Sequence, residues 1–153
     1  APNLEGINDV TGIQTQALGS DSEQDAIYKA MTLVRTGTGR AEPSAVVMHP
    51  NDWQTIRLQT TTDGIYLWGS PSDTGADRIF GVPVVQSSAQ TENTALVGDF
   101  ANYCELVVRK GVEVQVSDSH DDYFVKGKKA IRASMRCAFP VYRPAAFCTV
   151  TGI

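Results

Sequence analysis

The sequence predicts an α+β fold with a mainly antiparallel sheet and two to three helices. Three observations point there. Residues 20–36 repeat apolar side chains at three- and four-residue spacing, as one face of a helix does. Several short segments alternate apolar with polar residues, as half-buried strands do. Hydrophobic residues make up 42% and charged residues 20% of the 153, the balance of a folded domain with no low-complexity tract. A chain of 16.5 kDa buries roughly 70% of the surface its unfolded form exposes, which is enough for a core of its own.

Residues 1–19 read as loop with short extended pieces, punctuated by Gly6, Gly12 and Gly19. Ser20 and Glu23 stand at capping-box spacing, and Ala26, Ile27, Ala30, Met31 and Val34 then mark the buried face of a helix that Gly37 and Gly39 stop. Ala45–Met48 is a short buried strand. His49-Pro50 opens a second helix with Trp53 and Ile56 on its apolar stripe. Asp63-Gly64 is a turn, and Gly69–Asp77, rich in turn formers, is a long exposed loop that tolerates insertions.

Strands follow at Gly81–Gln86 and Thr94–Gly98. Cys104, Leu106 and Val108 alternate with polar residues up to Lys110-Gly111, where a turn is expected, and Val112, Val114 and Val116 alternate beyond it. From Phe124 to Phe147 the alternation is longest, with Ile131, Ala133, Met135, Cys137, Phe139 and Val141 on one face and Arg132, Ser134, Arg136 and Tyr142 on the other. About fourteen extended residues span roughly 45 Å, twice the usual strand. A strand of that length outgrows one core and suits a chain stabilised against neighbouring subunits.

Charge and cysteine usage exclude some classes. A net charge of -4 and a pI near 5.1 offer no basic field for reading nucleic acid. Cys104, Cys137 and Cys148 are odd in number and widely spaced, which favours free thiols in a reducing compartment. No run approaches the roughly 20 apolar residues that cross a bilayer, and APNLEGINDV lacks the regions of a signal peptide. Without an initiating Met, the chain reads as a processed product or a fragment of something longer.

Candidate chemistry is sparse. Thr36-Gly37-Thr38-Gly39-Arg40 has the glycines of a phosphate loop, but it follows a helix and lacks the Gly-Lys-Ser/Thr ending, so a helix C-cap is the expectation. Asp118, His120, Asp121 and Asp122 match neither a calcium loop nor a zinc signature, and read as a solvated turn. His49 and His120 lie far apart and no nucleophile elbow is present. Trp53, Trp68, Phe80 and Phe139 read as core. Catalytic, cofactor and metal sites are therefore not expected. Lys126, Lys128, Lys129 and Arg132 form a small basic run. With Arg136, Tyr142 and Arg143 of the polar strand face, they are the candidate contacts to another subunit.

The order of motifs adds a resemblance. Val46-Val47-Met48-His49-Pro50-Asn51-Asp52-Trp53, Asp63-Gly64-Ile65-Tyr66-Leu67, Ile79-Phe80-Gly81-Val82-Pro83-Val84-Val85, Leu96-Val97-Gly98-Asp99-Phe100, Phe124-Val125-Lys126 and Val141-Tyr142-Arg143-Pro144-Ala145-Ala146-Phe147 together resemble the carboxy-terminal half of the major capsid proteins of tailed bacteriophages, the Hong Kong ninety-seven fold. The likeness covers about residues 3–150. It implies a structural shell protein of a phage or prophage, forming pentamers and hexamers around double-stranded DNA held without sequence reading. It implies assembly in the bacterial host cytoplasm, with scaffolding, portal and cement proteins as partners and no membrane. Residues 1–18 would be a peripheral segment or linker, 19–118 the axial domain and 119–153 the long strand returning through the peripheral domain, with Gly69–Asp77 near a capsomer axis or surface.

Some positions depart from the family's pattern. In the family's covalent cross-link, an asparagine position holds Gly127 here and a glutamate position holds Ser134, so no isopeptide of that type is expected through this half. His49 replaces the Asn common before the second helix and caps less well. The competing readings are an encapsulin-like shell enclosing cargo and a small metal-dependent or hydrolytic enzyme built on Asp118–Asp122.

Overall fold

The computed structural model describes residues 4–68 and 75–153, and the chain forms two units: Glu5–Cys104 with Val141–Ile153, and Glu105–Pro140 with Leu4. In the larger unit the chain runs through β1 (Gln14–Ala17), α1 (Glu23–Thr36), β2 (Ala45–Met48) and α2 (Pro50–Arg57). It continues through β3 (Arg78–Ile79), β4 (Val82–Gln86), β5 (Thr94–Gly98) and the single turn α3 (Phe100–Tyr103). The smaller unit holds β6 (Val107–Ser117) and β7 (Ala130–Ala138), after which β8 (Phe147–Thr151) re-enters the larger one.

Six strands form one sheet in the order β1-β8-β5-β2-β4-β3. β8–β5, β5–β2 and β4–β3 pair antiparallel, whereas β1–β8 and β2–β4 pair parallel. The fold is α+β with antiparallel pairings in the majority. β5 shows why the sheet holds: Leu96 and Val97 are neighbours and so point to opposite faces, yet both are buried. The centre of the sheet is thus covered on both sides. α1 covers one of them, laying the fully buried Ala26, Ile27, Ala30, Met31 and Val34 across β1, β5 and β8. Burying Ile27, Met31 and Val34 contributes roughly 1.5–3 kcal/mol each. Trp53 and Ile56 of α2 join the same buried cluster.

The helix starts are close to expectation. α1 is capped by Ser22, whose Oγ accepts the Asp25 N–H at 3.2 Å; Ser20 lies in the preceding turn, because Glu23 is already the first helical residue. His49 does cap α2, its Nδ1 accepting the Asn51 N–H at 3.1 Å, with Pro50 at the first helical position. The Gly37 N–H closes α1 on the Leu33 carbonyl at 2.8 Å, which makes the TGTGR stretch a helix end. A Cβ on Gly39 would run into the Ala145 carbonyl, so glycine there lets two backbone segments touch.

Four sequence expectations are corrected. Lys110-Gly111 is not a turn: β6 passes straight through it and pairs with β7 from Val107↔Ala138 to Ser117↔Ala130. β6 has 11 residues against 9 in β7, and the surplus is absorbed at two register shifts, between Val108 and Lys110 and between Lys110 and Glu113. Phe124-Val125-Lys126 is not strand either, since the Lys128 N–H reaches the Tyr123 carbonyl at 2.8 Å and Gly127 has φ +62, which closes a tight turn. The long strand therefore breaks into β7, ended by Pro140, which has no N–H for a ladder, and β8, which belongs to the six-stranded sheet. The chain crosses between the two units at Cys104/Glu105 and Pro140/Val141. Finally, Phe80 is half exposed and Phe139 only partly buried, whereas Trp53 is core and Trp68 packs against it. The Gly69–Asp77 loop lies mostly outside the described residues.

The core's anchor is Phe147, fully buried, opposite Gly98 in the β5–β8 ladder and edge-on to Phe100 at 5.3 Å. Phe147→Ala is expected to cost about 3–5 kcal/mol in urea unfolding. Phe139→Ala should cost clearly less, and equal losses would place the core wrongly. Burial pushes the pKa of the Cys148 thiol up to about 11, above the ordinary range of a cysteine. The raised value adds stability below about pH 9 that is lost as pH rises towards about 11. Cys148→Ala should flatten that part of the stability–pH curve, and an unchanged slope would overturn the assignment.

Candidate assembly surface

A two-stranded ribbon is at best marginally stable by itself, because it can bury only one thin layer of side chains. The β6–β7 ribbon has this problem in a pronounced form. Directly paired residues share a face, so Val114 and Ala133, and Val116 and Ile131, lie side by side, with Met135 two residues further along the same face of β7. The other face carries Glu113, Gln115 and Ser117 opposite Ser134, Arg132 and Ala130. This is the pattern of a sheet with one dry side. Yet Val114, Val116 and Ile131 are 59 to 73% exposed, and Phe124 and Val125 in the connecting turn are more so. The sequence alternation is real, but among the described residues its apolar face stays exposed.

Charge is unevenly divided between the units. Residues 105–140 carry seven Lys or Arg against five Asp or Glu, a net of +2, while the remaining residues carry six against twelve, a net of -6. Five of the seven candidate contact residues sit on the ribbon unit. Lys126 pairs with Asp122, and Arg132 donates to Gln115 Oε1 at 2.6 Å. Lys128 and Lys129 make no ion pair among the described residues and Arg136 is exposed, in register with Lys110.

The other two candidates lie in the larger unit. Arg143 donates from Nη1 to the Gly39 carbonyl at 2.9 Å and to Tyr103 Oη at 3.2 Å, with its guanidinium 4.7 Å from the centre of the Tyr103 ring. Arg143 is therefore an internal staple joining the end of α1 to α3 and the approach to β8. The Tyr142 N–H reaches the Tyr103 carbonyl at 2.9 Å while its ring stays exposed. The candidate contacts read from the sequence are basic and polar side chains, and the apolar face of β6 is not among them. Its signal, the Val112-Val114-Val116 alternation, was visible, but alternation does not tell which molecule covers the dry side.

The acidic cluster gathers no ligand set. Asp118 and Asp121 are exposed, Asp122 is held by Lys126, and the His120 ring stands edge-on to Tyr123 at 5.3 Å. Among the described residues no three His, Cys, Asp or Glu side chains are placed to hold a metal ion. No described helix is long and apolar enough to cross a membrane.

Residues 1–152 match the model of the phage capsid family. The chain is 31% identical over 144 residues to the major capsid protein of Enterobacteria phage HK97, covering 94% of this chain and 37% of that protein. The chain thus spans well under half the length of this relative. Its fold matches the capsid of a native GTA particle with a TM-score of 0.75 at 19% identity, over 97% of this chain and 55% of the other. It matches a structure from Microbacterium phage Oxtober96 with a TM-score of 0.75 at 18% identity, over 90% of this chain and 50% of the other. The order of motifs, the sheet they build and the match along nearly the whole sequence agree: this chain belongs to the phage capsid family.

Proposed function

We infer that the chain is part of a structural major capsid protein of a tailed phage or prophage. Copies of the full protein assemble into the pentamers and hexamers of an icosahedral shell that encloses double-stranded DNA. The observation that carries this reading is the β6–β7 ribbon, whose apolar face is complete in pattern and bare in the single chain. Such a face is stable only when covered, and a shell protein covers it by assembling. The larger unit corresponds to the axial domain and the ribbon to the peripheral domain. Lys126, Lys128, Lys129, Arg132, Arg136 and Tyr142 serve as contacts to neighbouring subunits, whereas Arg143 supports them from within. Scaffolding, portal and cement proteins are the further partners, and assembly takes place in the host cytoplasm. The protein works as a building element and not as an enzyme. Its acidic balance fits DNA that is enclosed and not read.

Electron microscopy and sedimentation of the product of the full reading frame test the reading. Closed shells are expected to form. Shells filled with protein would move the assignment to a cargo compartment, and a product that stays small would overturn it. In that same product, Val116→Asp with Ile131→Asp should abolish shells while leaving the thermal unfolding of the larger unit unchanged, since neither residue lies in its core. Shells of normal yield from the double variant would show that the ribbon face is not a contact.

A further inference from the structure

Beside the first turns of α1 lies a notch of about 250 Å³ lined by Asp21, Asp25, Tyr28, Lys29 and Phe80. The Tyr28 and Phe80 rings stand at 61° with their centres 4.9 Å apart, so they form two walls of a corner, and both are about half exposed. The lining holds two carboxylates and one ammonium, a net negative charge. Lys29 is taken up by Asp21 at 2.6 Å, while Asp25 makes no ion pair among the described residues.

Phe80 stands here against local preference. It and Gly81 form the two-residue turn between β3 and β4 with φ +48 and +83, a turn that favours Asn-Gly. A bulky side chain at positive φ is strained, and a ring that stays 51% exposed gains little from burial to offset it. Strain of this kind, kept without burial, points to a use of the ring at the surface.

The chemistry of the corner selects its ligand. Ring faces attract a cation, and the Asp25 carboxylate neutralises it. A primary ammonium brings three N–H donors and meets only one carboxylate that is not already engaged; a guanidinium brings five. A quaternary ammonium brings none, and its methyl groups cover the rings while its charge stays close to Asp25. We propose that the corner formed by Asp25, Tyr28 and Phe80 is a binding site for a small quaternary ammonium compound. The site lies wholly in the larger unit and is independent of the shell reading.

NMR titration of the purified chain with choline chloride tests the site, with sodium chloride at matched concentration as the blank. Choline should shift the signals of Asp25, Tyr28 and Phe80 saturably in the millimolar range, as a few exposed contacts allow. Its uncharged isostere, the alcohol in which carbon replaces the nitrogen, should bind roughly tenfold more weakly. Ethanolamine, the primary-amine counterpart, should also bind more weakly than choline. Phe80→Asn suits the turn and keeps the fold, and it should abolish the shifts at Asp25 and Tyr28, whereas Phe80→Trp should keep them. Asp25→Asn leaves the helix cap, which uses the Asp25 backbone N–H, and should weaken choline roughly threefold. Shifts that sodium chloride reproduces would be a salt effect and would overturn the site. Binding of either comparison compound as tight as choline's would overturn the ligand class. Binding that survives Phe80→Asn, or a titration without shifts at these residues, would overturn the proposal outright.

Discussion

The seating of β8 between β1 and β5 is the constraint on which the rest of this structure depends. β8 is the last strand of the chain, yet it occupies an interior place in the sheet, buried at Phe147, Cys148 and Val150. Gly98 faces Phe147 across the ladder, and any Cβ on Gly98 would collide with the Phe147 ring. One residue without a side chain thus makes room for the largest fully buried one. α1 then packs over β1, β8 and β5 together, so the helix, the first strand and the last are held by a single layer of side chains.

That seating dictates what becomes of residues 105–140. The chain must leave the larger unit after α3 and return in time to enter β8, and both ends of the excursion are fastened inside that unit. Cys104 and Val141 form a bridge, and the Tyr142 N–H binds the Tyr103 carbonyl. Arg143 completes the closure by holding Gly39 and Tyr103 at once. With its ends tied, the intervening segment joins neither edge of the main sheet. It pairs with itself as a ribbon, and two bulges reconcile its unequal strands. A ribbon so formed keeps an apolar face that stays exposed among the described residues, and on this face the proposed shell function rests.

The division of charge follows the same line. Cations in the larger unit are largely spent locally: Lys29 on Asp21, Arg35 on Glu42 and Arg143 on backbone and ring. The Arg35–Glu42 pair holds the guanidinium above its usual range and the carboxylate below its own, chiefly through the hydrogen bonds between them. Exposed pairs of this kind add little stability. On the ribbon, Lys110 and Lys126 are likewise paired, with Glu113 and Asp122, whereas Lys128 and Lys129 make no ion pair among the described residues.

Much of the larger unit was legible in the sequence because its signals are local. The period of Ala26, Ile27, Ala30, Met31 and Val34, the Pro50 start, the Gly37 stop and the strands at Ala45–Met48 and Thr94–Gly98 all depend on neighbours a few residues away. The motif order likewise placed the chain in its family without any long-range contact. The tertiary structure decided the rest. Alternation alone could not show that Val112–Val116 and Ile131–Met135 are two strands of one bare ribbon, because period two reports a dry face but not its cover. Nor could it show that the Arg143 guanidinium closes the return into β8, or that β8 lies inside the sheet. Arg143 and Gly39, like β8 and β1, stand more than a hundred residues apart in the sequence, and only the folded chain brings them together.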